Sequence, residues 1–98
     1  MTKPRHTVEL TTKRSRVLAE LLVQTSTLGR RLEWCSDAQL RERGNKLRVA
    51  VDKVVLTLPE RATERLRTSI SELANTNDEV GREMVGHLLH VSEQSHGQ

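Results

Sequence analysis

Three side chains have the spacing of a metal site. Glu83, His87 and His90 lie 4 and 3 positions apart, so on a helix they share one face and offer a carboxylate and two imidazoles. No second cluster supplies a fourth ligand, and the helix macrodipole alone favours histidine near a helix C-terminus. No metal and no other cofactor is expected. Catalytic constellations are equally absent. The aspartates are Asp37, Asp52 and Asp78, two of them at predicted helix caps, and of the histidines His6, His87, His90 and His96 two fall in predicted tails. Gly81 to Gly86 lacks the Lys-Ser/Thr that completes a phosphate loop. The chain therefore reads as a non-enzyme, and Cys35 beside Trp34 reads as a packed small apolar residue.

The remaining chemistry is charge. Residues 1–48 carry 11 Lys/Arg against 5 Asp/Glu, whereas residues 49–98 carry 5 against 8, so the chain is electrically polar along its length. Lys13, Arg14, Arg16, Arg30, Arg31, Arg41, Arg43, Lys46 and Arg48 are the candidate contacts to an acidic protein or to nucleic acid. Glu20, Glu33 and Glu42 interrupt them, so they form no continuous stripe. Phe and Tyr are absent and Trp34 is the single aromatic residue, which removes any stacking platform for unpaired bases. Leu, Val and Ile make up 25 of 98 residues, enough for a folded aliphatic core in one domain. One cysteine, no apolar run after Met1-Thr-Lys-Pro-Arg and no apolar run of spanning length point to a cytoplasmic protein without a membrane partner.

The elements that would position these groups are helices. Residues 1–9 contain Pro4 and no helical period, and read as a flexible basic arm. Leu18, Leu21, Thr25, Leu28, Leu32 and Cys35 recur at 3,4 spacing, the seam of a first helix, with Gly29 a place to bend. Leu40, Gly44, Leu47, Val51 and Val54 give a second seam, on which Gly44 would let a neighbouring helix approach closely. Ala62, Leu66, Ile70 and Leu73 give a third, and Val80, Met84, Leu88 and Val91 a fourth. Capping-box patterns at Ser36, Thr57 and Thr76 separate the segments. The expected fold is all-α, a small antiparallel four-helix bundle with helices near 10–34, 37–56, 58–74 and 77–92. Residues 10–92 would form one helical domain with consecutive helices side by side, and 93–98 a flexible tail.

One segment has a second reading. From Asp52 the order DKVVLTL, then a helix starting at Pro59-Glu60, a tight turn and another helix resembles the ribbon-helix-helix family of dimeric DNA-binding regulators, over residues 52–92. That resemblance implies a strand paired with a second subunit in the major groove, with Lys53, Val55 and Thr57 facing the bases. Val55 is aliphatic where a base reader belongs, and Asp78 and Glu79 stand where a helix N-terminus would meet phosphate.

The function expected from the bundle is non-catalytic: a protein-binding regulator or inhibitor of adaptor type that occupies a surface of a larger complex, one associated with nucleic acid. Small proteins of mobile elements have this size and character. The candidate partner interface is Leu21, Leu28, Met84, Val85 and Leu89, and a homodimer fits the same surface. Far-ultraviolet circular dichroism separates the two folds: the bundle gives a helical spectrum with no strand contribution, and a measurable strand component would select the ribbon.

Overall fold

The chain enters its first helix through Thr11, whose hydroxyl oxygen accepts from the Arg14 amide at 3.2 Å and satisfies one of the unpaired donors at the helix start. A computed structural model describes residues 10–94. They form four helices, α1 (Thr12–Glu33), α2 (Ala38–Thr57), α3 (Glu60–Glu72) and α4 (Glu79–Gln94), with a single 3-10 turn, Leu73–Asn75, after α3. No strand occurs among the described residues. The bundle expected from the seams is the fold observed, with every helix end within two residues of expectation. The proposed arm, 1–9, and residues 95–98 lie outside the described residues, whereas 93 and 94 continue α4 and do not belong to a tail.

The segment left open is helical, so a ribbon-helix-helix arrangement over 52–92 is excluded. Asp37 caps α2, accepting from the Gln39 and Leu40 amides at 2.8 and 3.3 Å, and the helix then runs unbroken through Val55. Val51 and Val55, one helical turn apart, are both buried while Lys53 between them is exposed, whereas a strand would turn all three to one face. Lys53, Val55 and Thr57 accordingly share no face: Val55 enters the core while Lys53 is exposed. The capping boxes mark the right places through different atoms. Asp37 replaces Ser36, Pro59 precedes α3 without a side-chain cap, and Asp78 accepts from the Val80 amide at 3.0 Å ahead of α4.

Every other helix packs on α1. Its buried residues are Ser15, Ala19, Leu22, Val23, Ser26 and Gly29, a stripe displaced from the leucine seam that the sequence advertises. Small side chains there let neighbours come close. At the crossing with α2, a Cβ added to Gly29 would lie 2.7 Å from the Gly44 carbonyl oxygen and 2.9 Å from Arg48 Cγ. One added to Gly44 would collide with the Gly29 carbonyl oxygen and Leu32 Cβ. Gly44 therefore plays the expected role, and Gly29 marks a helix contact instead of a bend. On the α3 side the Ser15 and Ser69 hydroxyls are 2.9 Å apart, and Arg65 donates to the Leu10 carbonyl at 2.9 Å. Larger residues from the other helices fill the centre, among them Val51, Val55, Leu66, Ile70, Val85 and Leu88.

Helices α1 and α3 run one way, α2 and α4 the other. The expectation that consecutive helices pack side by side holds for α1–α2 and α3–α4 but fails for α2–α3, which barely touch. Leu58 and Pro59 are both extended (ψ 146° and 156°), and they carry the chain across the end of the bundle to the far side of α1. At the opposite end the α1–α2 turn projects, with every residue from Ser36 to Arg43 exposed, in a molecule 54 × 28 × 27 Å.

Gly44→Ala should destabilise the fold by about 1–2 kcal/mol, because overpacking outweighs the gain in helix propensity. Gly86, whose Cβ would meet nothing within 4 Å, should gain up to about 1 kcal/mol on conversion to Ala. Paired urea titrations measure both, and a Gly44→Ala protein as stable as the parent would refute the close crossing.

Candidate functional site

The cations expected to face an acidic partner are largely engaged inside the chain. Arg48 donates to Glu33 at 2.7 Å, Arg30 to Glu33 at 3.3 Å and to Glu83 at 3.1 Å, and Arg31 to Asp78 at 2.8 Å. Lys46 pairs with Glu42 at 3.2 Å and Arg16 with Glu72 at 3.7 Å. Arg41 donates to the Cys35 and Ser36 carbonyls at 3.0 and 2.7 Å, closing the α1–α2 turn. Lys13 and Arg43, at opposite ends of the α1–α2 hairpin, are exposed and make no ion pair among the described residues, and Arg14 is exposed next to Lys13. Arg16, Arg30, Arg31 and Arg48 brace one helix against another. As a set, the cations are not assembled into a track that could follow a phosphate backbone.

Glu33 is the hub of that bracing. It accepts from Arg48, from Arg30 and from Asn45, the last at 3.3 Å, and its side chain is largely buried. Burial pushes its carboxyl up, but the hydrogen bonds from Arg48, Asn45 and Arg30 together prevail and hold it below the ordinary value of 4.5. Asp78 is also held low, first by the Arg31 guanidinium and then by the Gly81 and Val80 amides that it caps. Arg30 in turn lies 5.1 Å from the centre of the Trp34 ring, which is 59% exposed at the projecting turn.

The residues with potential for chemistry are turned to separate tasks. His87 Nε2 lies 2.9 Å from the Asp52 carboxylate and ties α4 to α2, Glu83 receives Arg30, and His90 meets Gln94 at 3.1 Å. No group of three His, Cys, Asp or Glu among the described residues is placed to hold a metal ion. Cys35 is half-buried, with Sγ 3.8 Å from the Arg31 carbonyl oxygen, and His6 and His96 lie outside the described residues. The His87–Asp52 pair joins positions 35 residues apart, and no local pattern in the sequence announces it.

The apolar surface remains. Of the five residues expected at a partner interface, Met84 and Val85 are 1% and 2% exposed and belong to the core, because α4 turns this face toward α1. Leu89 is half-buried against the same core. Leu21 and Leu28 are 56% and 53% exposed, and Val17, one turn before Leu21, is 54% exposed. At 100° per residue Val17, Leu21 and Leu28 fall within one narrow sector of α1, directly opposite the buried stripe. Leu40 and Val54, also exposed, and half-buried Leu47 continue this surface on the adjoining edge of α2, where Leu32 and Leu47 flank the glycine crossing. Beside Leu28 a groove of about 430 Å³ opens between α1 and the start of α4, lined by Val23, Thr27, Leu73, Thr76 and Gly81 and rimmed by the Arg31–Asp78 pair.

Fold and surface together define an all-helical bundle with one uncovered apolar face. Comparison with protein-family models, with curated proteins and with solved structures gives no match. Among the described residues no helix is long and apolar enough to cross a membrane.

Glu33→Gln should lower stability by about 1–2 kcal/mol at neutral pH, since the partly buried Arg48 loses its charged acceptor. The folded-state carboxyl titrates below the unfolded value, so its stabilisation is complete above pH 4.5 and disappears as pH falls through the lower, folded value. Denaturation midpoints measured from neutral pH down through that window should fall more steeply for the parent than for Glu33→Gln. Parallel curves would show that the hub carries no such linkage.

Proposed function

We propose that this protein is a non-catalytic, protein-binding regulator or inhibitor of adaptor type, which works by laying the outer face of its α1–α2 hairpin on a partner. The observation that carries the reading is the uncovered stripe Val17, Leu21 and Leu28, each more than half exposed although the chain has a full core without them. Large apolar side chains grouped on one side of a small bundle mark an interaction surface. The groove beside Leu28 offers a place for an apolar anchor, and the Arg31–Asp78 pair at its rim offers a polar contact that would fix its orientation.

The setting proposed is the cytoplasm, which a lone, half-buried Cys35 suits. The larger assembly is one in which an acidic surface, of protein or of nucleic acid, lies near Lys13, Arg14 and Arg43, which are among the exposed cations of the same hairpin.

Affinity capture from the source cells, comparing the parent with Leu21→Asp and Leu28→Asp, tests the reading. At least one protein should be retained by the parent and reduced tenfold or more by either variant, while Glu93→Gln, an exposed change at the far end of α4, leaves it bound. Identical captures from all four would remove the outer face as a binding site.

A further inference from the structure

The outer stripe of α1 has a symmetry that a generic docking face would not need. Its residues are Val17, Leu21, Gln24, Thr25, Leu28 and Leu32, and their spacing reads the same from either end about the midpoint between Gln24 and Thr25. Laid against itself in the opposite direction, the stripe matches Leu21 to Leu28, Val17 to Leu32 and Gln24 to Thr25. This is the self-complementarity that a two-fold, isologous contact requires. The central apolar pair, Leu21 and Leu28, is equally uncovered, at 56% and 53%, while in the outer pair Val17 is exposed and Leu32 half-buried.

The charges beside the stripe choose the direction. Glu20 makes no ion pair among the described residues and sits on the same flank as Arg31, eleven positions further along α1. In a two-fold antiparallel pair each flank meets its own counterpart running backwards, so Glu20 of one copy comes within two positions, about 3 Å along the axis, of Arg31 of the other, twice over, and would share that guanidinium with Asp78. Lys13 and Arg14 then face Ser36 and Cys35 of the other copy, with no like charges opposed. A parallel pair would instead set this flank against the opposite one, where Leu18 and Thr25 lie near the height of Glu20 and offer it no cation.

Size is adequate as well. The 22 residues of α1 span about 33 Å. With the adjoining edge of α2 the face is roughly 18–20 Å wide, giving about 600 Å² on each copy and about 1,200 Å² in all, the lower end of the range for specific interfaces.

The geometry points to a second copy of this chain as the occupant of the outer face, packed α1 against α1 in antiparallel register about Gln24 and Thr25. The inference rests on the reading of this face as an interaction surface and names what covers it. The two projecting turns, each bearing Trp34 and Leu40, then point to opposite ends of the pair and remain open to a different partner.

Sedimentation equilibrium over a hundredfold range of concentration tests the pairing. The mass should rise from 11.1 kDa toward twice that value. Leu28→Asp should weaken association by about a hundredfold or more, and Glu20→Lys by about two- to thirtyfold, both with melting curves that match the parent's at concentrations where the parent is monomeric, because these side chains are outside the core. Register is tested on a Cys35→Ser background by mixing Leu21→Cys and Leu28→Cys chains under mild oxidation: the mixed disulfide should form ahead of either homodisulfide. A protein monomeric throughout the range overturns the inference, as does a dimer indifferent to Leu28→Asp or one giving preferentially matched 21–21 and 28–28 cross-links. A monomer that still loses a captured protein on Leu28→Asp would sink the self-pairing alone. A dimer with no captured protein would instead sink only the wider regulatory role.

Discussion

Two glycines facing each other across a helix crossing set the rest of this structure. Gly29 and Gly44 bring the α1 and α2 backbones so near that a Cβ on either would meet the other's carbonyl oxygen. Such an approach fixes the rotation of α1 about its own axis, because only the side of the helix carrying Gly29 can face α2 so closely. Ser15, Ala19, Leu22 and Ser26 follow Gly29 inward by helical period, and the small residues among them let α3 come in as tightly on the other flank. What is turned in by this contact determines what is turned out. Leu21 and Leu28 are exposed because the helix is seated on its small residues.

The same crossing organises the charges. Glu33 lies one turn beyond Gly29, and the Arg48 stem passes over Gly29, its Cγ 2.9 Å from where a Cβ would stand, so the bare glycine lets the guanidinium reach Glu33 at 2.7 Å. Arg30 and Asn45 complete the shell, and the carboxylate stays ionised despite its burial because three donors converge on it. Three cations of the basic N-terminal half, Arg30, Arg31 and Arg48, are thereby engaged in joining α1, α2 and α4.

How much of this can be read from the chain depends on the residue type. Pro59, Asp37 and Asp78 are strong local signals, and they fix the helix ends to within two residues. The buried stripe of α1 was hidden, since a search for apolar periodicity gives weight to leucine and almost none to serine or glycine. Ser15, Ser26 and Gly29 are buried by the closeness of a neighbour, which is a property of the pair of helices. Leu21 and Leu28, expected at a partner interface, do lie on the outside, because α1 is seated on its small residues. Met84 and Val85 were misplaced because α4 is apolar on more than one side and nothing local says which side meets α1. The links from Arg31 to Asp78 and from His87 to Asp52 span 47 and 35 positions, beyond the reach of any local pattern.

The position of Trp34 has an optical consequence. It is the chain's only aromatic residue, and it lies at the projecting end of the molecule, 59% exposed and lying against Arg30, far from the aliphatic centre. Intrinsic fluorescence is therefore nearly blind to melting of the core, whose Leu, Val and Ile are dark at these wavelengths. It is instead a native, label-free beacon for the hairpin turn, one that brightens or shifts when something covers that end while the bundle beneath stays intact.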